Sequence, residues 1–267
     1  MNHLNHELQT ILKLIKNAGE IIEKIRSRSF EIKYKSHDSG PVTEADLAAS
    51  EYLIKEISHH FPNDLVISEE APLPENPAEG KRTWFIDPID GTKEFIKMTH
   101  EWSIMIGLAV HQRPVLGVVY QPHQEKLYFA TKNGGAFLEY KGKTRKLKVN
   151  PPQDLKSAKI IQSRSHYDMK IEAIAKNVGI SEVLRLGSIG LKLGVISEGG
   201  ADLYFNLSGK CHLWDLCGPE IILEESGGVV MSENDLPIIY HPKTSLIKNK
   251  FIASSNKIFT ESLIKLL

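Results

Sequence analysis

Trp84-Phe85-Ile86-Asp87-Pro88-Ile89-Asp90-Gly91-Thr92 is the stretch on which the reading of this chain turns. Thr83 and the three apolar residues after it have the composition of a short buried strand, expected to end at Asp87-Pro88. The strand delivers two carboxylates, with Pro88 fixing the backbone between them. Gly91 permits a tight turn, so the amides of Gly91 and Thr92 can face a phosphate. Two acids three residues apart at a turn can share hard cations, which take oxygen ligands and keep several waters. An isolated Asp-x-x-Asp is more often a polar turn with a capping Asp. The strand before it and the Gly-Thr after it favour a metal site.

Further acids occupy comparable places. Ser68-Glu69-Glu70 follows the apolar run 65–67, and Trp214-Asp215 precedes a helical stretch at 216–225. Taken singly, Asp215 reads as a helix N-cap and Glu69 and Glu70 as solvent-facing. Upstream, Thr43-Glu44-Ala45-Asp46 has the spacing of a capping box and opens a helix that stops near His60. Acids at three element ends together supply a bridged cluster of divalent ions, the arrangement used in phosphoryl hydrolysis.

The surrounding chain is long enough, at 267 residues, for one large domain or two smaller ones packed together. Leu8, Ile11, Ile15, Ala18, Ile22 and Ile25 recur every three or four positions, which predicts an amphipathic helix over about 4–27. A strand-like run follows at 30–34, a loop at 36–41, and an exposed loop rich in Pro and Glu at 72–80. From 103 to 140, β-rich runs joined by turns at 112–114 and 133–135 predict an antiparallel meander. After Asn150-Pro151-Pro152 strand-like and helix-like segments alternate, the signature of an α/β half. The boundary falls near 150–156, between an α+β half (1–152) with most candidate ligands and an α/β half (153–267) with Asp215. Ligands tend to bind where two such halves meet.

Lys plus Arg and Asp plus Glu each total 33, so the formal net charge is zero. Bulk nucleic-acid binding, which needs a basic surface, is disfavoured. An anionic substrate must then be met by local cations or metals. No apolar run reaches the length of a membrane span, and the N-terminus has no secretory pattern. Cys211 and Cys217 make neither a disulfide framework nor a zinc knuckle. A cytoplasmic location with reduced thiols is expected.

In order along the chain, Pro41-Val42-Thr43-Glu44-Ala45-Asp46, Glu69-Glu70, Asp87-Pro88-Ile89-Asp90-Gly91-Thr92 and Trp214-Asp215 resemble the motifs of the inositol monophosphatase-like, lithium-sensitive phosphatases. Gly91-Thr92-Lys93-Glu94-Phe95, Ser163-Arg164-Ser165-His166 and Trp214 to Glu220 look like one branch, the 3'(2'),5'-bisphosphate nucleotidases. The resemblance implies a layered α-β-α-β-α sandwich and a phosphomonoesterase using two to three Mg²⁺. Glu69, Asp87 and the Ile89 carbonyl would hold one ion; Asp87, Asp90 and Asp215 a second; a third would involve Glu69 and waters. Thr92 and Asp46 would orient and deprotonate the attacking water, which makes Asp46 a base partner as well as a capping residue. His166, Lys192, Ser188 and Arg164, with Gly91 and Thr92, would contact substrate. The implied reaction converts adenosine 3',5'-bisphosphate to AMP and phosphate, with lithium inhibition; a monomer and a homodimer both fit the sequence, with the monomer favoured.

Three rival readings stand beside this one. The same fold could act on inositol monophosphate or another sugar phosphate. Aspartate-nucleophile phosphatases use Asp-x-Asp-Gly-Thr, whereas here two residues, Pro88 and Ile89, separate the acids and would misplace the second. A catalytically inactive nucleotide- or metal-binding regulator is disfavoured, since every motif acid and Thr92 are in place.

Overall fold

The apolar stripe near the N-terminus forms the first layer. The computed structural model describes residues 4–34, 40–75, 77 and 80–266. Helix α1 (Asn5–Arg26) buries Ile11, Leu14, Ile15, Ala18, Ile22 and Ile25 along one side, as the spacing requires. Strands β1 (Ile32–Tyr34) and β2 (Pro41–Thr43) pair antiparallel and lead into α2 (Glu44–His60). The loop expected at 36–41 lies mostly outside the described residues, as do 76, 78 and 79 of the expected loop at 72–80. Within that second loop Leu73 is exposed but Pro77 is buried.

A seven-stranded sheet comes next. It holds β3 (Leu65–Ser68), β4 (Thr83–Asp90), β5 (Ser103–Val110), β6 (Arg113–Gln121), β7 (Lys126–Thr131), β8 (Gly135–Tyr140) and β9 (Lys143–Lys146), in sequence order. The short helix α3 (Thr92–Ile96) leaves the end of β4. β3 runs parallel to β4, and every later pair is antiparallel. The expected meander is therefore present, and it extends to β4 on one side and β9 on the other.

The remaining chain forms β10 (Lys159–Ser163), α4 (Met169–Val178), β11 (Glu182–Leu186), α5 (Ile189–Ser197), β12 (Leu203–Asn206), β13 (Cys211–His212), α6 (Leu213–Glu225), β14 (Val229–Ser232), β15 (Leu246–Ile247), β16 (Phe251–Ser254) and α7 (Lys257–Leu263). The second sheet has the order β11-β10-β12-β16-β14. β10, β11 and β12 are parallel, whereas β16 runs antiparallel to both β12 and β14. The alternating pattern thus gives a mixed sheet. β16, absent from the sequence expectation, inserts between two strands that were expected.

Hydrophobic clusters define the layers. α1 and α2 cover one face of the large sheet over Trp84, Ile86, Ile104, Ile106 and Val118. Its other face, through Phe85, Met105, Val119 and Tyr128, packs on α5 and α6, which also lie under Ile161, Tyr204 and Phe251 of the small sheet. α4 and α7 close the outside through Ile171, Ala175, Phe259 and Leu263. This is the α-β-α-β-α sandwich. Among the described residues no helix is long and apolar enough to cross a membrane.

Two expectations are corrected here, and both bear on the site. β4 does not end at Asp87 but continues to Asp90 through a register shift. α6 starts at Leu213, so Asp215 is its third residue and His212 is the N-cap. Local propensity placed the helix start after the aspartate because Asp is favoured as a cap.

Candidate metal centre and active site

On an undistorted strand, residues three apart point to opposite faces. Asp87 and Asp90 escape that rule through the register shift. Asp87 pairs with Met105 and Asp90 with Ser103, so two residues of β4, Pro88 and Ile89, oppose one of β5. The extra residue is a β-bulge, and it returns the second carboxylate to the side of the first. Pro88, with no N–H to give a ladder, sits where pairing is already broken. The Ile89 amide donates to Asp87 Oδ1 at 3.0 Å, an Asx turn that holds the bulge. Gly91 then turns the chain at φ +97°; a Cβ there would lie 3.0 Å from the Glu101 carbonyl oxygen and 3.3 Å from Trp102.

Neighbouring elements bring the other acids. The Glu69 amide donates to the Ile86 carbonyl at 3.1 Å, extending the parallel β3–β4 ladder by one residue and setting Glu69 beside Asp87. Asp46 and Asp215 arrive by one device used twice. Each is the third residue of its helix, and its Oδ2 accepts from the amide of the capping residue: Thr43 at 2.8 Å and His212 at 2.7 Å. Ser50, one turn beyond Asp46, meets Ser68 at 2.8 Å and ties α2 to β3. Thr92 Oγ1 lies 3.4 Å from Asp46 Oδ1 and 3.1 Å from the Ile89 carbonyl.

The electrostatics are those of crowded like charges. Burial first, and then Glu69, Asp90, Asp215 and Asp46, push the Asp87 carboxyl well above its ordinary range. Asp215 is raised well above its range by burial, Glu69 and Asp90, against the pull of the His212 amide and Cys211 thiol. Asp90 is raised by burial, opposed by the Lys192 ammonium and the Ser188 hydroxyl. Among the described residues no three such side chains stand as a ready cage; the Asp90 carboxylate, for instance, is turned to the Ser188 hydroxyl (2.6 Å) and Gly190 amide (3.1 Å). The donors are all oxygens, the set a hard divalent cation takes, and such a cation would relieve their repulsion. The residues present fit one.

The side chains expected to contact substrate are distributed differently. Ser188 is buried, at φ +53°. Its single proton goes to Asp90, so Ser103 donates to it at 2.8 Å, and it caps α5 by accepting from the Leu191 amide. Ser188 therefore positions Asp90 from behind. Lys192 is buried as well, with Nζ on the Ser188 carbonyl at 2.8 Å; burial lowers its pKa against the pull of Asp90. The Arg164 guanidinium is a fork on Glu101, at 2.6 and 2.7 Å, and Glu101 also accepts from the Gly187 amide. His166 Nε2 faces Lys93 Nζ at 2.9 Å. Loss of solvent around the ring, followed by Lys93, lowers its pKa.

The model of the inositol monophosphatase family matches residues 4–267. The chain belongs to that family. A 3'(2'),5'-bisphosphate nucleotidase CysQ of Aggregatibacter actinomycetemcomitans is 32% identical over 250 residues, 92% of each chain. Inositol monophosphatase 1 of Sus scrofa is 30% identical, over 94% of this chain and 90% of that protein. A solved IMPase/NADP phosphatase complexed with Mg²⁺ and phosphate superposes with a TM-score of 0.83 at 22% identity, covering 99% of this chain and 95% of that one. In reaction class this member of the inositol monophosphatase family is a phosphomonoesterase; magnesium use and lithium sensitivity are typical of the family.

Several residues outside the sequence motifs also shape the site in this family member. Ser103 supports Ser188, Cys211 touches Asp215, and Glu101 holds both Arg164 and the Gly187 amide. Nothing in local sequence marks Ser103 or Glu101, because their partners lie 85 and 86 residues away. Cys211 could have been suspected from its place four residues before Asp215.

Proposed function

We propose that the chain hydrolyses adenosine 3',5'-bisphosphate to AMP and phosphate with Mg²⁺ held by Glu69, Asp87, Asp90, Asp215 and the Ile89 carbonyl. The observation that carries this reading is the gathering of acids from four elements around Asp87, with the Thr92–Asp46 pair at its edge. When bound, Mg²⁺ supplies positive charge for the transferring phosphoryl oxygens and acidity for a water. The rest falls to the protein.

Asp46 Oδ2 is occupied by Thr43, which leaves Oδ1 as the acceptor for Thr92. With its proton directed to Asp46, the Thr92 hydroxyl would accept from the attacking water and aim its lone pair at phosphorus. Asp46 then takes the proton through Thr92. The amides of Gly91 and Thr92 would steady the phosphate, and Ser188 with Lys192 would hold Asp90. The nucleotidase substrate is favoured over inositol phosphate by the names of several relatives and by Lys93, Glu94 and His166, which lie together beside Thr92.

The test is phosphate release with Mg²⁺ from adenosine 3',5'-bisphosphate and inositol 1-phosphate in parallel, for the wild type and Asp90→Asn. A preference for the nucleotide, with kcat/KM at least about a hundredfold lower in the variant, is expected from losing a charge that holds cation. A preference for inositol phosphate would keep the mechanism and discard the substrate. Undiminished activity in the variant would remove Asp90 from the metal set.

A further inference from the structure

Glu101, Trp102 and Ser103 lead from α3 into β5, and alternate residues of an extended chain face opposite sides. Trp102 turns with Ile104 and Ile106 into the layer shared with α1 and α2. Glu101, Ser103 and Met105 turn the other way, onto the segment 187–190 that opens α5. Contact there is close. A Cβ on Gly187 would stand 2.3 Å from the Glu101 carbonyl oxygen, and one on Gly190 2.5 Å from Met105 Sδ. Two hydrogen bonds fix how the segment lies on β5: Glu101 Oε2 accepts from the Gly187 amide at 2.8 Å, and the Ser103 hydroxyl meets Ser188 Oγ at 2.8 Å.

Between these anchors Ser188 is held at φ +53° and ψ 126°, which a residue with a Cβ rarely adopts. Such a backbone persists only where its surroundings over-determine it. Glu101 anchors the amide before it, and Lys192 Nζ donates to its carbonyl at 2.8 Å. The conformation aims Ser188 Oγ at Asp90 Oδ2 (2.6 Å), where the Gly190 amide also donates (3.1 Å). Both bonds end on Oδ2, which leaves Oδ1 for a cation. Burial works against a charge on Glu101, but the Arg164 fork and the Gly187 amide outweigh it and keep the carboxyl below its ordinary range. The Arg164 side chain is half-exposed, and such an ion pair contributes little by itself. The bond to Gly187 is the part that reaches the site. We infer that Glu101 is a positioning residue for cation binding: by holding the Gly187 amide it keeps Ser188 in the conformation that orients Asp90. The inference rests on the placing of Asp90 among the metal ligands above.

The experiment follows the melting temperature against Mg²⁺ concentration without substrate, which yields an apparent Mg²⁺ affinity. It compares the wild type, Glu101→Gln, Glu101→Met, Ser188→Ala and the double variant Glu101→Met with Ser188→Ala. Gln and Met are similar in size and both lose the ion pair with Arg164, but only Gln keeps an oxygen for the Gly187 amide. Glu101→Met should bind Mg²⁺ about tenfold more weakly, as expected when a group supporting a metal ligand is removed. Glu101→Gln should keep most of the wild-type affinity. Ser188→Ala should lose about as much as Glu101→Met, and the double variant no more than either, because residues on one path do not add. A lower melting temperature in Glu101→Met with unchanged Mg²⁺ affinity would make Glu101 a structural strut and overturn the inference. Equal losses in Glu101→Gln and Glu101→Met would assign the effect to the Arg164 pair and overturn it too, as would losses that add in the double variant. Should Glu101→Met not fold, Glu101→Ala takes its place with the same expectations. A wild type indifferent to Mg²⁺ discards the metal assignment and this inference together. A wild type that responds, with Glu101→Met responding at the same concentrations, overturns this inference alone.

Discussion

Glu220 lies in the middle of α6, fully buried, and accepts from Arg113 at 2.6 Å and from the Tyr240 hydroxyl. Burial, against the pull of Arg113, raises its pKa from 4.5 to about 7. Between those values the native protein keeps a proton that the unfolded chain has released. Stability from this group is therefore complete below about 4.5 and is lost as pH rises through about 7. The difference corresponds to roughly 3 kcal/mol. Urea unfolding at pH 5 and pH 8 should show Glu220→Gln losing most of that pH-dependent component. A variant with the wild-type slope would mean that the proton sits elsewhere in the Arg113, Glu224 and Tyr240 network.

Element positions depend on a close helix–sheet approach. Gly107 and Gly117 are opposite each other on β5 and β6, directly under α6. A Cβ on Gly117 would stand 2.2 Å from the Gly218 carbonyl oxygen, and one on Gly107 2.6 Å from the Gly218 amide nitrogen. Backbone contacts this short leave room for glycine alone. Since α6 carries Asp215, the two glycines set how far that carboxylate reaches toward Asp87. Gly117→Ala should destabilise by about 1–3 kcal/mol through overpacking, and kcat/KM should fall as Asp215 is displaced. Thermal unfolding read alongside activity checks both effects; an unchanged melting temperature would show that α6 accommodates the methyl without moving.

At the scale of the molecule, the acid cluster sets stability against function. Asp87 is buried among four other carboxylates, and folding without a cation holds that repulsion in place. A ligand that binds only the native state stabilises it, by about 2.7 kcal/mol at a hundred times its Kd. Mg²⁺ should therefore raise the melting temperature of the wild type, and EDTA should lower it. Asp87→Asn keeps an oxygen to accept from the Ile89 amide but removes the charge. In EDTA that variant should melt above the wild type, and added Mg²⁺ should raise it much less. A wild type indifferent to Mg²⁺ would count against the cation set proposed for these acids.

Much of this was legible in the chain itself. The stripe of α1, the Thr43 cap, the meander and the acids at the ends of apolar runs are local patterns, because a helix face or a turn is specified by residues a few positions apart. The family motifs marked the acids for the same reason: each motif is short and contiguous. The bulge that brings Asp87 and Asp90 to one face depends on the register of β5 against β4. Likewise, the Ser103–Ser188–Asp90 chain and the Arg164–Glu101 fork join residues from separate elements. Sequence by itself determined which side chains carry charge and which segments bury apolar surface, since both follow from composition over a few turns. Only the tertiary structure decided which charges face one another, because that depends on strand register and helix approach, set by packing between residues distant along the chain.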